Sequence, residues 1–81
     1  MLVSTKEIFK KAKANNYAII APDYYDNNSC RAYCKAAEKL NVPIVLSFAE
    51  AHAEMLDLDE AAMIGKYYAN LSKAPVALHL D

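Results

Sequence analysis

Glycine, cysteine and long apolar runs are all scarce in this chain of 81 residues, which has one glycine and two cysteines. No apolar run approaches the ~20 residues needed to span a bilayer, and the N-terminal residues do not resemble a secretory signal. A net charge of −1 leaves no excess of basic residues for nucleic acid. These absences predict a cytoplasmic globular protein that binds neither membrane nor nucleic acid, with residues 1–81 forming one small domain at most.

The two cysteines are too few, and too poorly spaced, for a disulfide framework or a metal cluster. Cys30 and Cys34 lie four residues apart, on one face of a helix, which is a poor spacing for a disulfide. A zinc site would need two further ligands close by. We therefore expect both to be small buried residues of the core.

Three short apolar segments read as buried strands. They are Tyr17–Ala21, Pro43–Phe48 and Pro75–Asp81, and each is bounded by proline or by a polar loop. The first is apolar throughout, as in a parallel sheet that is covered on both faces.

Helical periodicity fills the intervals between these strands and precedes the first. Ser4 and Glu7 form a capping-box pattern at the first helix, which Asn15 and Asn16 end. Asp26 or Asn28 caps a second helix that runs to about residue 40, and acidic residues from Asp57 open a third. The apolar stripe expected on the second helix contains Cys30, Tyr33, Cys34, Ala37 and Leu40. The stripe expected on the third contains Leu58, Ala61, Ile64, Tyr68 and Leu71. Gly65, inside the third helix, either allows close approach to the sheet or is simply tolerated.

Strands that alternate with helices predict an α/β fold with a parallel sheet and right-handed crossovers. Three such strands would leave two open edges and only two crossover helices to cover them. We expect residues 1–81 to be the N-terminal third of a larger domain.

One face of the last strand is unusual, because it carries a histidine and an aspartate. Val76, Leu78 and Leu80 share one side, whereas Ala77, His79 and Asp81 share the other. A carboxylate is costly inside a core, but the carboxyl ends of strands are where α/β folds place active sites. Asp81 is therefore either a polar chain end or a catalytic group.

Residues 75–81, Pro-Val-Ala-Leu-His-Leu-Asp, resemble the strand-3 motif P-V-A-L-H-L-D-H-G of the class II, zinc-dependent ketose-bisphosphate aldolases. Residues 1–7, 17–18 and 36–46 are similar to the corresponding segments of that family, so the resemblance covers the whole chain in register.

The resemblance implies the leading helix and strands one to three of a (β/α)8 barrel, normally ~250 residues long. It implies an aldehyde-lyase of glycolysis and carbohydrate metabolism that cleaves a fructose- or tagatose-type bisphosphate reversibly to dihydroxyacetone phosphate and an aldehyde. Zinc acts there as Lewis acid, a homo-oligomer is possible, and Asp81 matches the catalytic acid/base. The first zinc-binding histidine follows the motif's Asp, so no metal ligand is expected in this chain, which is predicted to be inactive alone.

Several positions depart from the family pattern. His79 is not the zinc ligand, and we expect it to be a neutral, hydrogen-bonded histidine that points into the barrel. Asp23 stands where a substrate-contacting amide is usual, which makes it a candidate substrate-binding residue, and Ala49 stands where a substrate-contacting serine is usual.

Two alternatives remain open at this point. The segment with Glu50, His52 and Glu54 suggests a metal site, although a solvated loop is favoured because no closed ligand set accompanies it. The whole chain could also be a non-catalytic α/β fragment that self-associates or complements a partner chain.

Overall fold

A computed structural model describes all residues, 1–81, as three helices packed against a small parallel sheet. Helices α1 (Thr5–Ala14), α2 (Asn27–Leu40) and α3 (Leu58–Leu71) accompany strands β1 (Ile44–Phe48) and β2 (Val76–Leu80), and a short 3-10 turn spans Glu50–His52. The two strands are parallel, with Ile44 opposite Val76 and Phe48 opposite Leu80. The predicted α/β class and the parallel pairing are confirmed.

Each helix begins at a side chain that caps its first turn. Ser4 Oγ accepts the Glu7 backbone N–H at 3.1 Å, and Asp57 Oδ1 accepts that of Glu60 at 2.9 Å. Asp26 forms a reciprocal capping box with Ser29, whose backbone N–H holds the pKa of the Asp26 carboxyl below its ordinary value. Of the two residues predicted to cap α2, Asp26 is therefore the one that does so.

The first predicted strand, Tyr17–Ala21, is wrong as a regular strand that is covered on both faces. Ile20 is 65% exposed, and backbone bonds to the sheet begin only at this residue. Val45 N donates to Ile20 O at 3.1 Å, Ser47 N to Pro22 O at 3.0 Å, and Tyr24 N to Ser47 O at 2.8 Å. The segment from Ile20 to Tyr24 thus runs parallel to β1, with Tyr24 buried and Ile20 exposed.

The other side of β2 is paired only at its beginning. Val76 N donates to Met1 O at 2.8 Å, and Val3 N donates to Val76 O at 2.9 Å. Alternate residues of a strand direct their backbone groups to the same edge. Leu78 and Leu80 therefore face that edge beyond Val3, where no backbone bond is formed, and Leu80 is 58% exposed.

The sheet has an inner and an outer face with different partners. On the outer face α2 and α3 cover the larger cluster, which contains Leu46, Phe48 and Val76. On the inner face Val45 and Ala77 pack against Ile8 of α1. The alternation predicted for residues 76–81 fits this arrangement.

Gly65 allows α3 to approach the sheet closely, which confirms the first of its two predicted roles. A Cβ added there would lie 2.7 Å from Tyr24 Oη and 3.1 Å from Leu78 Cδ2. The predicted apolar stripes fail at their ends, since Leu40, Leu58 and Leu71 are all more than half exposed. The side of α3 that faces the sheet instead carries the small residues Ala61, Gly65 and Ala69.

Both cysteines are free and buried, as predicted. A hydrogen bond with Cys34, together with burial, raises the pKa of the Cys30 thiol. None of the helices has the length and apolar character required to cross a membrane.

Candidate active site

The polar residues predicted to matter lie where the parallel segments end. The carboxyl ends of Ile20–Tyr24, β1 and β2 lie together at one end of the sheet. This end bears Asp23, the loop from Ala49 and Asp81. In parallel sheets this is the edge at which ligands bind, because polar loop residues from several strands converge there.

Asp81 is fixed through its main chain. Its N–H donates to Phe48 O at 2.9 Å and its carbonyl accepts from Glu50 N at 3.0 Å, so the ladder between β1 and β2 continues to this residue. Asp81 is solvent-exposed. Strand alternation assigns its side chain to the inner face, with Ala77 and His79.

Asp23 takes part in a row that crosses three parallel segments. It forms an isolated parallel bridge with Ser47, and Ser47 pairs with His79 in the register of β1 and β2. Residues in one such row project from the same face of a sheet, with neighbouring strands ~4.8 Å apart. Asp23 is half-buried and Ser47 is 3% exposed, so a carboxylate, a hydroxyl and an imidazole share the inner face below Asp81.

Ser47 was not among the residues predicted from the sequence. A signal for it exists, because it is the one polar side chain in the buried strand Ile44–Phe48. Burying a hydroxyl is costly without a polar partner. Only the pairing register, however, identifies Asp23 and His79 as its neighbours.

His79 lies in the inward row as predicted, but the expected hydrogen bond is absent. His79 is exposed, and its imidazole has no hydrogen-bond partner in the protein.

The prediction of a solvated Glu-x-His-x-Glu loop after β1 is only partly right. Glu50 and Glu54 are exposed, as expected, whereas His52 is half-buried beside the ring of Tyr25, at 6.2 Å between centroids. The Nδ1 atom of His52 is buried without a hydrogen-bond partner. No three His, Cys, Asp or Glu side chains are grouped so that they could hold a metal ion. The residues of this chain therefore do not form a zinc site, since such a site needs at least three protein ligands.

One of the solved structures that share the fold of the whole chain is an aldolase. It is the X-ray crystal structure of the YdjI aldolase from Escherichia coli K12, with 21% sequence identity and a TM-score of 0.93. The match covers 100% of this chain and 32% of that one, so the chain spans about a third of the aldolase's length. The architecture is accordingly that of the N-terminal part of an aldolase barrel.

The sequence gives an independent result. The family model for class-II fructose-bisphosphate aldolase matches residues 3–81, which is nearly the whole chain. The chain therefore belongs to the class-II fructose-bisphosphate aldolase family.

Proposed function

We propose that residues 1–81 are a partial domain, the leading helix and first three β-segments of a zinc-dependent ketose-bisphosphate aldolase barrel. The reaction is the reversible cleavage of a sugar bisphosphate to dihydroxyacetone phosphate and an aldehyde, as part of carbohydrate metabolism. The family match over residues 3–81 supports the reaction class. The free, buried cysteines suit the reducing conditions of the cytoplasm, which we propose as its location.

Asp81 is the proposed catalytic acid/base, and its position carries the proposal. Its carboxylate accepts the proton of the C4 hydroxyl while the C3–C4 bond breaks, and the bonding electrons remain on C3 of the dihydroxyacetone phosphate half. In condensation the same group returns a proton to the aldehyde oxygen. An exposed side chain on a main chain fixed to Phe48 and Glu50 suits this role, because the group is positioned and still accessible.

Asp23 is the proposed substrate contact. It lies in the same inward row as Ser47 and His79, on the segment next to β1. A half-buried carboxylate at this edge can accept hydrogen bonds from sugar hydroxyls.

Zinc is part of this proposal only through the family. Because residues 1–81 lack a ligand set, the metal's ligands would have to come from outside them. The isolated chain is accordingly proposed to be inactive, since an acid/base alone contributes only about 10²–10⁴-fold in rate.

A second candidate, a non-catalytic fragment that complements a partner chain, is favoured by one observation. The β2 edge is unpaired at Leu78 and Leu80, and such an edge can accept a strand from another chain.

The decisive test of Asp81 is a chimera in which these 81 residues replace the matching segment of the YdjI aldolase. If the chimera cleaves the parent's substrate, we expect Asp81→Asn to lower kcat by about 10²–10⁴-fold, with unchanged circular dichroism. Glu7→Gln, an exposed carboxylate on α1, is the matched control and should leave kcat unaltered.

A chimera that retains full activity with Asp81→Asn would refute the assignment. The 81-residue chain should be assayed separately with zinc and fructose 1,6-bisphosphate or tagatose 1,6-bisphosphate. Turnover that a chelator abolishes would contradict the proposed inactivity of the chain alone.

A further inference from the structure

A groove between α2 and α3 has one cysteine in its wall. Its volume is about 300 Å³, and Cys34 lines it together with charged side chains of α2 and aromatic side chains of α3. As a whole residue Cys34 is only 3% exposed, so a reagent reaches its sulfur through the groove. Small-molecule sites begin at about this volume. The groove can therefore bring a small molecule to the Cys34 thiol.

Cys30 precedes Cys34 by about one helical turn but does not line the groove. It is fully buried, and its Sγ atom lies 3.9 Å from the backbone oxygen of Ile64. A hydrogen bond from the Cys30 thiol holds the pKa of Cys34 below its ordinary value, against the opposite effects of burial and of Glu38. Cys34 is therefore the thiol that more readily forms a thiolate, which is the nucleophilic form.

The charges around the groove suit an anion that also carries one positive group. Arg31 and Lys35 of α2 border the groove, and both are exposed. Glu38 adds one carboxylate, whose Oε2 atom also accepts the Lys73 N–H at 3.2 Å. Two cations and one carboxylate complement a small peptide thiol with two carboxylates and one ammonium group. Glutathione has this composition.

We propose that Cys34 is a site of reversible S-thiolation by a small anionic disulfide, whose carboxylates are held by Arg31 and Lys35. The Cys34 thiolate attacks one sulfur of glutathione disulfide, the S–S bond of the reagent breaks, and a new S–S bond joins Cys34 to one half. The other half leaves as a thiolate and takes up a proton from water. Cys34 is oxidised and the departing half is reduced, so no further oxidant is needed.

The reaction stops at this mixed disulfide. Cys30 would have to displace the glutathionyl group, but an i,i+4 pair on a helix is a poor spacing for a disulfide. The hydrogen bond with Cys34 and burial also raise the pKa of the Cys30 thiol, which therefore supplies little thiolate. The groove lies on the outer side of the sheet, whereas Asp81 projects to the inner side, so the proposal does not depend on the aldolase reaction.

The first experiment incubates the 81-residue chain with glutathione disulfide and locates the adduct by mass spectrometry. Trypsin cleaves after Arg31, so Cys30 and Cys34 fall on different peptides and are measured separately. We expect one glutathionyl group per chain, on Cys34, and its removal by dithiothreitol. Cys34→Ala should abolish the adduct.

The Cys30 variants test the hydrogen bond between the two thiols. Cys30→Ala should slow the reaction of Cys34 about threefold, because a tenfold loss of thiolate is partly offset by greater nucleophilicity. Cys30→Ser, which retains a donor, should restore most of the rate. Circular dichroism checks that each variant is folded. An adduct on Cys30, a Cys30–Cys34 disulfide, or a reaction of Cys34 only in urea would each overturn the proposal.

The second experiment tests the cations of the groove. The double variant Arg31→Gln, Lys35→Gln should react with glutathione disulfide about tenfold more slowly, but equally fast with the uncharged 2-hydroxyethyl disulfide. Lys39→Gln, at an exposed lysine of α2 outside the groove, is the matched control and should react like the wild type. Equal rates of the double variant and the wild type with glutathione disulfide, or equal losses with both reagents, would contradict the proposed recognition.

Discussion

Tyr24 joins three elements that lie far apart in the sequence. Its hydroxyl donates to Ala61 O at 2.6 Å, its ring contacts that of Phe48 at 5.7 Å between centroids, and Gly65 lies against the hydroxyl. The sequence predicts a polar loop for residues 22–28, at the carboxyl end of the first apolar segment. Burial of Tyr24 depends on contacts with α3, which local pattern cannot reveal.

Gly65→Ala is expected to destabilise the fold by about 1 kcal/mol. The new Cβ, 2.7 Å from Tyr24 Oη, forces that hydroxyl away from Ala61 O, at a cost of about 1–3 kcal/mol. Greater helix propensity returns up to ~1 kcal/mol. Urea unfolding followed by circular dichroism measures the difference.

The control is the same substitution in a Tyr24→Phe background. Without the hydroxyl the 2.7 Å contact disappears and only the contact with Leu78 Cδ2 at 3.1 Å is left, so the loss due to Gly65→Ala should shrink. An equal loss in both backgrounds would show that Tyr24 is not the cause.

Alkaline pH should weaken the fold through Tyr24. Burial, with a smaller effect of the adjacent Cys30, raises the pKa of Tyr24 from 10.0 to about 12. Because the folded state holds this proton more tightly, the stabilisation is complete below pH 10 and is lost as the pH rises toward 12. The free energy of unfolding, measured by urea titration from pH 9 to pH 12, should fall more steeply for the wild type than for Tyr24→Phe.

At the scale of the elements, the helices were predictable because their ends are local. A capping residue acts on backbone groups within one turn, so its place in the sequence is sufficient to predict where the helix begins or ends. The caps of this kind include Ser4, Asn41 and Asp57. Asn41, for example, ends α2 with a φ of 55°, a left-handed conformation that asparagine tolerates. The segment Tyr17–Ala21 was not predictable in this way, because a strand depends on pairing partners that lie far away in the sequence.

Asp57→Ala should destabilise α3 by about 1 kcal/mol, since its carboxylate accepts the Glu60 N–H. Thermal unfolding followed by circular dichroism measures this loss. Asp59→Ala, a carboxylate in the same turn that caps no backbone group, separates the cap from the charge. Equal losses would mean that only the charge near the helix N-terminus matters.

For the molecule as a whole, the far side of β2 forms no backbone bond beyond Val76. Amide hydrogen exchange followed by NMR should therefore alternate along this strand. The Asp81 and Val76 amides, which donate to Phe48 O and Met1 O, should be protected, whereas those of Leu78 and Leu80 should exchange rapidly.

In the chimera with the YdjI aldolase, a neighbouring strand should slow exchange at Leu78 and Leu80. Slow exchange at these two amides in the isolated chain would instead mean that the edge pairs with another copy.

The candidate site was only partly predictable at this scale. Asp81 was selected from its motif and from its place at the end of a strand, and its role stays a prediction. The row of Asp23, Ser47 and His79 depends on the register between three segments, which the sequence does not contain in any local pattern.

The two main-chain bonds of Asp81 have a consequence for how this position can vary. Phe48 and Glu50 recognise only its peptide group, so any residue except proline could occupy the position and leave the ladder intact. The backbone arrangement at the end of β2 is thus independent of the side chain at position 81, and evolution or an engineer can exchange that side chain without altering the fold beneath it.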